Sequence, residues 1–196
     1  MAQLIYVINS SLDGFIEDAD GKFDWTHPTP EVHRFFNDLV RPIGTHLYGR
    51  RMYQTMLGWE TDPRYAEQSP ETKEFAGIWQ AADKVVFSKT LDAPVTNRTR
   101  IERAFQPAII RELKARSERP LMIGGAELAG QALAQGLVDE CHLVVGPFIA
   151  GGGKPALPRG IRLALTLVHE YRFDNGAVHL HYRVNPPDAP AAGRAQ

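Results

Sequence analysis

Gly124 and Gly125 stand between the apolar run Leu121-Met122-Ile123 and a segment with helical character from about Glu127 to Gln135. Without Cβ atoms, a chain turning there can approach a phosphate closely, and the following helix offers backbone amides and the positive end of its dipole. A tight strand-to-helix turn with no ligand can demand the same glycines, so the pair alone leaves both readings open. It is neither of the usual nucleotide loops. Gly125 and Gly130 have P-loop spacing, but Gln131 occupies the lysine position, and Gly124 does not continue as GxGxxG. Gly49-Arg50-Arg51 is a second anion candidate, two guanidinium forks opening a helix after the run Thr45 to Tyr48. The alternative is two solvated arginines on an exposed helix. Ser88-Lys89-Thr90 adds a hydroxyl and an ammonium after the run Lys84 to Phe87. In an open α/β sheet, ligands lie outside the carboxyl ends of the strands, and all three segments sit at such ends.

Two carboxylates are candidates for proton or charge chemistry. Asp13, in Ser11-Leu12-Asp13-Gly14, either closes a turn on its own backbone or faces a cleft. Glu31, in a helix's first turn, is favoured there by the dipole whether or not it has a further duty. His179 and His181 put two imidazoles on one strand face, but the sequence offers no third ligand at metal-binding spacing. Gly151-Gly152-Gly153 before Lys154-Pro155 reads as a flexible loop. The single cysteine, Cys141, excludes an intrachain disulfide and a cysteine-rich zinc site, and its apolar setting reads as a buried thiol.

These segments need an α/β frame. Leu4 to Ile8, Thr45 to Tyr48, Lys84 to Phe87, Leu121 to Ile123 and His142 to Val145 are short apolar runs of buried-strand type, and residues around Thr96 to Ile101 form a further strand. Thr29-Pro30-Glu31 and Ser69-Pro70-Glu71 have helix-start chemistry, Pro107 opens another helix, and Gly136 ends the one after Gly125. Residues 13–28 read as a mobile loop carrying Phe15, Ile16, Phe23 and Trp25, and residues 58–68 as a polar loop. Leu163, Leu165 and Leu167, then Val178, Leu180, Tyr182 and Val184, flank Asp174-Asn175-Gly176 as an antiparallel hairpin.

With 196 residues, 43% apolar content and a net charge of -1, one domain over residues 1–185 and a disordered tail over 186–196 are expected. The charge balance gives no broad positive field for nucleic acid or an anionic membrane. No run approaches membrane-spanning length and no secretion signal is evident at the N-terminus, so a cytoplasmic location is expected.

The ordered motifs SLDGFI, DW, YGRRMY, VVFSKT, LMIGGAELAGQAL and LVDECHLVVGPFIAGGGKP resemble the dihydrofolate reductase superfamily over roughly residues 3–184. The similarity is greatest to the branch holding the reductase domain of bifunctional riboflavin-biosynthesis proteins and stand-alone bacterial relatives. It implies a dihydrofolate-reductase-like three-layer α/β/α fold whose mostly parallel central sheet ends in the antiparallel hairpin. It also implies a homodimer, formed through strands near residues 141–149, and NADPH as cofactor. Gly49, Arg50 and Arg51 match the segment that cradles the adenosine-side phosphates, and Ser88 and Lys89 match the 2′-phosphate edge. Gly124, Gly125, Ala126, Glu127 and Leu128 match the pyrophosphate turn, while Asn9 and Ile16 fall where the family packs the nicotinamide. Trp25 matches the tryptophan that ends the mobile loop, and Trp25 and Phe35 are expected to face the substrate. Asp13 matches the substrate-associated aspartate of the riboflavin branch. Glu31 is the nearest match to the pterin-binding carboxylate, offset by about one residue, and Met52 stands where dihydrofolate reductases carry threonine. The resemblance thus implies hydride transfer to a C=N bond of a dihydropterin or a ribosylaminopyrimidine, with Asp13 and Glu31 as catalytic candidates. The alternatives are a non-catalytic module that keeps the cofactor fold and a site for a different nucleotide.

Overall fold

The computed structural model describes residues 1–26 and 28–186. The expected tail therefore lies, from residue 187 onward, outside the described residues.

Strand β1 (Leu4–Ser10) opens the chain, followed by β2 (Phe15–Glu17), a single 3-10 turn (Asp24–Thr26) and helix α1 (Pro30–Val40). Next come β3 (Thr45–Gly49), α2 (Arg50–Met56), α3 (Gly58–Thr61), α4 (Pro63–Ala66), α5 (Pro70–Ala81), β4 (Asp83–Phe87), β5 (Thr99–Glu102) and α6 (Pro107–Arg116). The chain ends with β6 (Leu121–Gly124), α7 (Ala126–Ala134), β7 (Glu140–Val145), β8 (Lys154–Pro155), β9 (Leu165–Arg172) and β10 (Val178–Val184). Eight strands form one sheet in the order β5-β4-β3-β6-β1-β7-β10-β9, and β2 pairs with β8 in a separate two-stranded ribbon. Neighbours from β5 to β7 run parallel, whereas β10 is antiparallel to both β7 and β9.

Successive strand side chains point to opposite faces, which divides the core in two. Leu4, Tyr6, Leu47, Val85, Leu121 and Ile123 face α6 and α7. Ile5, Tyr48, Val86 and Met122 instead face α1, α2 and α5, with Val40, Tyr53 and Trp79 packed against them. The result is the three-layer α/β/α arrangement with a mostly parallel sheet and an antiparallel C-terminal hairpin.

The helix starts follow from local chemistry. The Thr29 hydroxyl accepts from the Val32 amide, and Ser69 and Thr72 form a reciprocal capping box, with Pro30 and Pro70 at the first helical positions. Residues 58–68 depart from the expected loop, because α3 and α4 form two short turns braced by the Trp59 and Tyr65 rings, 5.3 Å apart. Within the expected loop 13–28, residues Phe15–Glu17 form a strand, since β2 is held by β8. Gly153 makes that pairing close: a Cβ there would overlap the Glu17 carbonyl oxygen, and its φ of 123° disfavours L side chains.

Candidate functional site

A cavity of about 700 Å³ opens at the carboxyl ends of β3, β4 and β6. Its size suits a ligand considerably larger than a single ring. Two walls of different character can be distinguished.

The first wall is cationic and built from strand ends. Gly49, Arg50, Arg51, Ser88 and Lys89 line it, as do Gly124, Gly125, Ala126, Glu127 and Leu128. All ten were singled out in the sequence, and the topology brings them to one edge because β4, β3 and β6 are consecutive, parallel neighbours. α7 begins at Gly125 without a side-chain cap, leaving its first amides to the cavity. Gly125 has φ of 89°, and a Cβ on Gly124 would lie 2.8 Å from Tyr48 Cε1, so the turn requires glycine at both positions. The Ser88 hydroxyl is already engaged, accepting from the Leu91 amide at 3.0 Å, while Arg50 donates to Thr90 at 3.0 Å. Arg103, just past β5, also lines this wall and was missed. The strand-end rule that located Arg50 and Lys89 would have found it too.

The ribbon of β2 and β8 carries two ion pairs beside this wall. Glu17 of β2 meets Arg51 at 3.4 Å, and Lys154 of β8 meets Glu127 at 2.6 Å. The bond from Lys154 holds the Glu127 carboxyl below its ordinary range. Arg51 is 74% exposed, and a solvent-exposed pair contributes at most about 1 kcal/mol. A hydrogen bond to a charged partner is worth about 1.5–3 kcal/mol, so a phosphate can displace Glu17 from Arg51.

The second wall is aromatic. His33, Phe36, Trp59 and Phe75 line it, with His33 edge-on to Trp59 and to Phe75 at 6.2 and 5.7 Å. Between the walls, Ile16 and Asn9 line the floor. The Asn9 Oδ1 is buried and without a hydrogen-bond partner among the described residues, an acceptor left for a ligand N–H.

Four expected residues lie elsewhere. Asp13 does not line the cavity. Its Oδ1 accepts from Ser11 Oγ at 2.7 Å and from the Ala150 amide at 2.9 Å, and its Oδ2 accepts from the Gly151 amide at 2.8 Å. Those bonds, led by Ser11, hold its carboxyl below the usual range and fasten the β1–β2 turn to the loop after β7. Glu31 accepts from the Tyr171 hydroxyl at 3.1 Å and from the Asp174 amide at 3.0 Å, tying the start of α1 to the C-terminal hairpin. Phe35 turns to the face of α1 that packs on Phe173 and His179, at 5.2 and 4.5 Å, whereas His33 and Phe36 turn to the cavity. Trp25 stacks on Phe148 at 5.3 Å and lines a separate small cleft on the other side of Asn9.

The set of cationic side chains, two required glycines, an uncapped helix start and an orphaned amide acceptor fits a dinucleotide such as NADPH. Comparison with known proteins agrees with the architecture. The sequence model of the RibD C-terminal domain matches residues 2–179, and the chain belongs to that family. The Bacillus subtilis (strain 168) protein YyaP, itself uncharacterised, is 30% identical over 189 residues, covering 93% of this chain and 95% of YyaP. Among solved structures, a Shewanella sp. PV-4 protein ascribed to riboflavin biosynthesis superposes with a TM-score of 0.75 at 24% identity, covering 95% of this chain and 100% of that one. Dihydrofolate reductase from Enterococcus faecalis, complexed with NADP(H) and RAB-propyl, gives a TM-score of 0.65 at 14% identity, covering 94% and 97%. The fold is thus that of two reductase families. Among the described residues, no helix is long and apolar enough to cross a membrane.

Proposed function

We propose that the chain is an NADPH-dependent reductase that delivers a hydride to a C=N bond of a small heterocycle of the dihydropterin or ribosylaminopyrimidine type. The observation that carries this reading is the convergence of three strand ends, with their glycines and cations, on one cavity whose floor holds the unpartnered Asn9 oxygen. NADPH, when bound, supplies the hydride from its nicotinamide ring. The chain's own residues do the remaining work. The amides after Gly125 and the guanidinium groups of Arg50 and Arg51 hold phosphate, and Lys89 and Arg103 add the charge that favours a 2′-phosphate. Asn9 and Ile16 orient the ring at the floor. The aromatic wall of Phe36, Trp59 and Phe75 excludes water around the acceptor, and His33 is the titratable ring on that wall.

Asp13 and Glu31 enter this reading as positioning residues, because each carboxylate is bound to distant backbone outside the cavity. That placement also favours a second reading, a module that binds NADPH without turning over. A homodimer through the region 141–149 belongs to the same proposal, supported by the exposed side chains of Phe148 and Ile149, and gel filtration tests it.

Titrating the protein into NADPH while following nicotinamide fluorescence tests the cofactor: saturable binding with preference over NADH is expected, and its absence overturns the reading. Single-turnover oxidation of bound NADPH with dihydrofolate or with the phosphoribosylaminopyrimidine then separates reductase from silent module.

A further inference from the structure

The antiparallel pairing of β10 with β7 sets His181 directly opposite His142, and Glu140 lies two residues before His142 on the same face. The two imidazole rings stack with centroids 4.0 Å apart and planes 19° apart. Both Nε2 atoms face one carboxylate oxygen: Glu140 Oε2 is 3.1 Å from His181 Nε2 and 3.7 Å from His142 Nε2. The three donor atoms lie within 4.8 Å of one another. The sequence showed only the pair on β10. Of that pair only His181 enters the cluster, and its other two members, Glu140 and His142, lie on a strand some forty positions earlier, brought opposite by a register that local spacing does not reveal.

Hydrogen bonding leaves this cluster incomplete. One proton shared between His181 and Glu140 satisfies that pair, but His142, only 6% exposed, keeps a buried Nε2 with no hydrogen-bond partner among the described residues. Its distance from Glu140 Oε2 is too long for a hydrogen bond. Supporting contacts fix the other atoms. His142 Nδ1 is 3.0 Å from His179 Nε2, so with the Nδ1 proton directed to His179 the lone pair of His142 sits at Nε2. Gln3 Nε2 donates to Glu140 Oε1 at 2.8 Å, which leaves Oε2 for the two histidines. Such outer contacts are what orient imidazole and carboxylate ligands toward a metal. A tetrahedral zinc ion, with bonds of about 2.0–2.2 Å, holds its ligand atoms about 3.3–3.5 Å apart, and the two measured separations bracket that spacing.

We propose that Glu140 Oε2, His142 Nε2 and His181 Nε2 form a binding site for one divalent ion of the zinc class. Imidazole ligands select zinc and its borderline neighbours over calcium or magnesium, which take all-oxygen shells. The ion fastens β10 to β7, joining the C-terminal hairpin to the parallel part of the sheet, and leaves a fourth position for water. The site is separate from the dinucleotide cavity, and the proposal stands or falls independently of the reductase reading.

The test uses untagged protein stripped with chelator and exchanged into metal-free buffer. Titration with Co²⁺ should give a saturable visible band of tetrahedral type at one equivalent, and Zn²⁺ should displace it and raise the melting temperature. His181→Ala should abolish saturable binding, and Glu140→Gln should weaken it at least tenfold. Each variant is compared with the parent chain in chelator, where equal melting temperatures show an intact fold, and NADPH binding should be unchanged in both. If His181→Ala fails to fold, Glu140→Gln decides. Absence of saturable Co²⁺ and Zn²⁺ binding, or binding that survives Glu140→Gln at parental affinity, overturns the proposal.

Discussion

The two walls of the cavity are made in different ways. The cationic wall is assembled from strand ends: Gly49 and Gly124 close β3 and β6, and Arg50, Ser88, Lys89 and Gly125 follow within two residues of β3, β4 or β6, so once these strands are neighbours the groups share one edge. The aromatic wall is assembled from side chains on three separate helices: His33 and Phe36 on α1, Trp59 on α3 and Phe75 on α5. Its composition depends on how each helix is rotated, and a shift of one residue exchanges Phe36 for Phe35. A wall set by topology is tied to the sheet, whereas one set by helix packing can vary. In the proposed reductase, the first wall would hold the cofactor and the second would shape the pocket for the acceptor.

That contrast can be broken most directly at the cations. Lys89→Ala combined with Arg103→Ala removes charge-assisted contacts worth about 1.5–3 kcal/mol each, so NADPH should bind ~100-fold more weakly or worse. NADH affinity should fall much less. Equal losses for both dinucleotides, measured by fluorescence titration, would remove the 2′-phosphate role from this wall.

Acid should act next, through the strand beneath the cationic wall. His46 on β3 is fully enclosed with neither ring nitrogen bonded, and burial, assisted by Lys84 and Arg119, pushes its pKa from 6.5 down to about 3. Above pH 6.5 both folded and unfolded chains hold it neutral. Below 6.5 only the unfolded chain gains the proton, so stability falls as pH drops toward 3, by up to about 1.4 kcal/mol per pH unit. Urea melts across that range should show the slope, and His46→Leu should flatten it by one proton's worth.

On the aromatic wall, Phe36→Ala should raise the KM of the heterocycle by ~10-fold, about 1.4 kcal/mol, with little change in NADPH affinity. If both constants move together, the two walls are not separate in function. The smallest effect is expected at Asp13→Asn. The amide keeps a hydrogen-bond acceptor but loses the charge held by Ser11, Ala150 and Gly151, so melting temperature should fall slightly at neutral pH while turnover is nearly unchanged. A collapse of kcat at unaltered melting temperature would instead put this carboxylate at the chemistry.

Legibility in the sequence followed the range of the interactions. Thr29, Ser69, Gly125 and the strand runs act through neighbours within four positions, and they gave the frame and the cationic wall apart from Arg103. Asp13 and Glu31 act through partners 137 and 140 positions away, which no local pattern encodes. Their residue types suit both catalysis and anchoring, and the contacts with Ala150, Gly151, Tyr171 and Asp174 arise only from the folded chain. The helices α3 and α4 escaped because four residues complete barely one turn, too short for a periodic signal, and they depend on rings brought together only in the folded chain.

The ribbon of β2 and β8 has a consequence for kinetics. Its Glu17 and Lys154 each neutralise a group of opposite sign beside the cavity, so the field an approaching polyanion meets comes from Arg50, Lys89 and Arg103, which have no carboxylate partner among the described residues. Electrostatic steering needs an uncompensated potential reaching beyond a Debye length. Arrival of a dinucleotide should therefore be steered by those three cations and slow as salt is raised. Rearranging the two pairs happens after contact, so substitutions at Glu17 and Lys154 should register chiefly in how long the ligand stays.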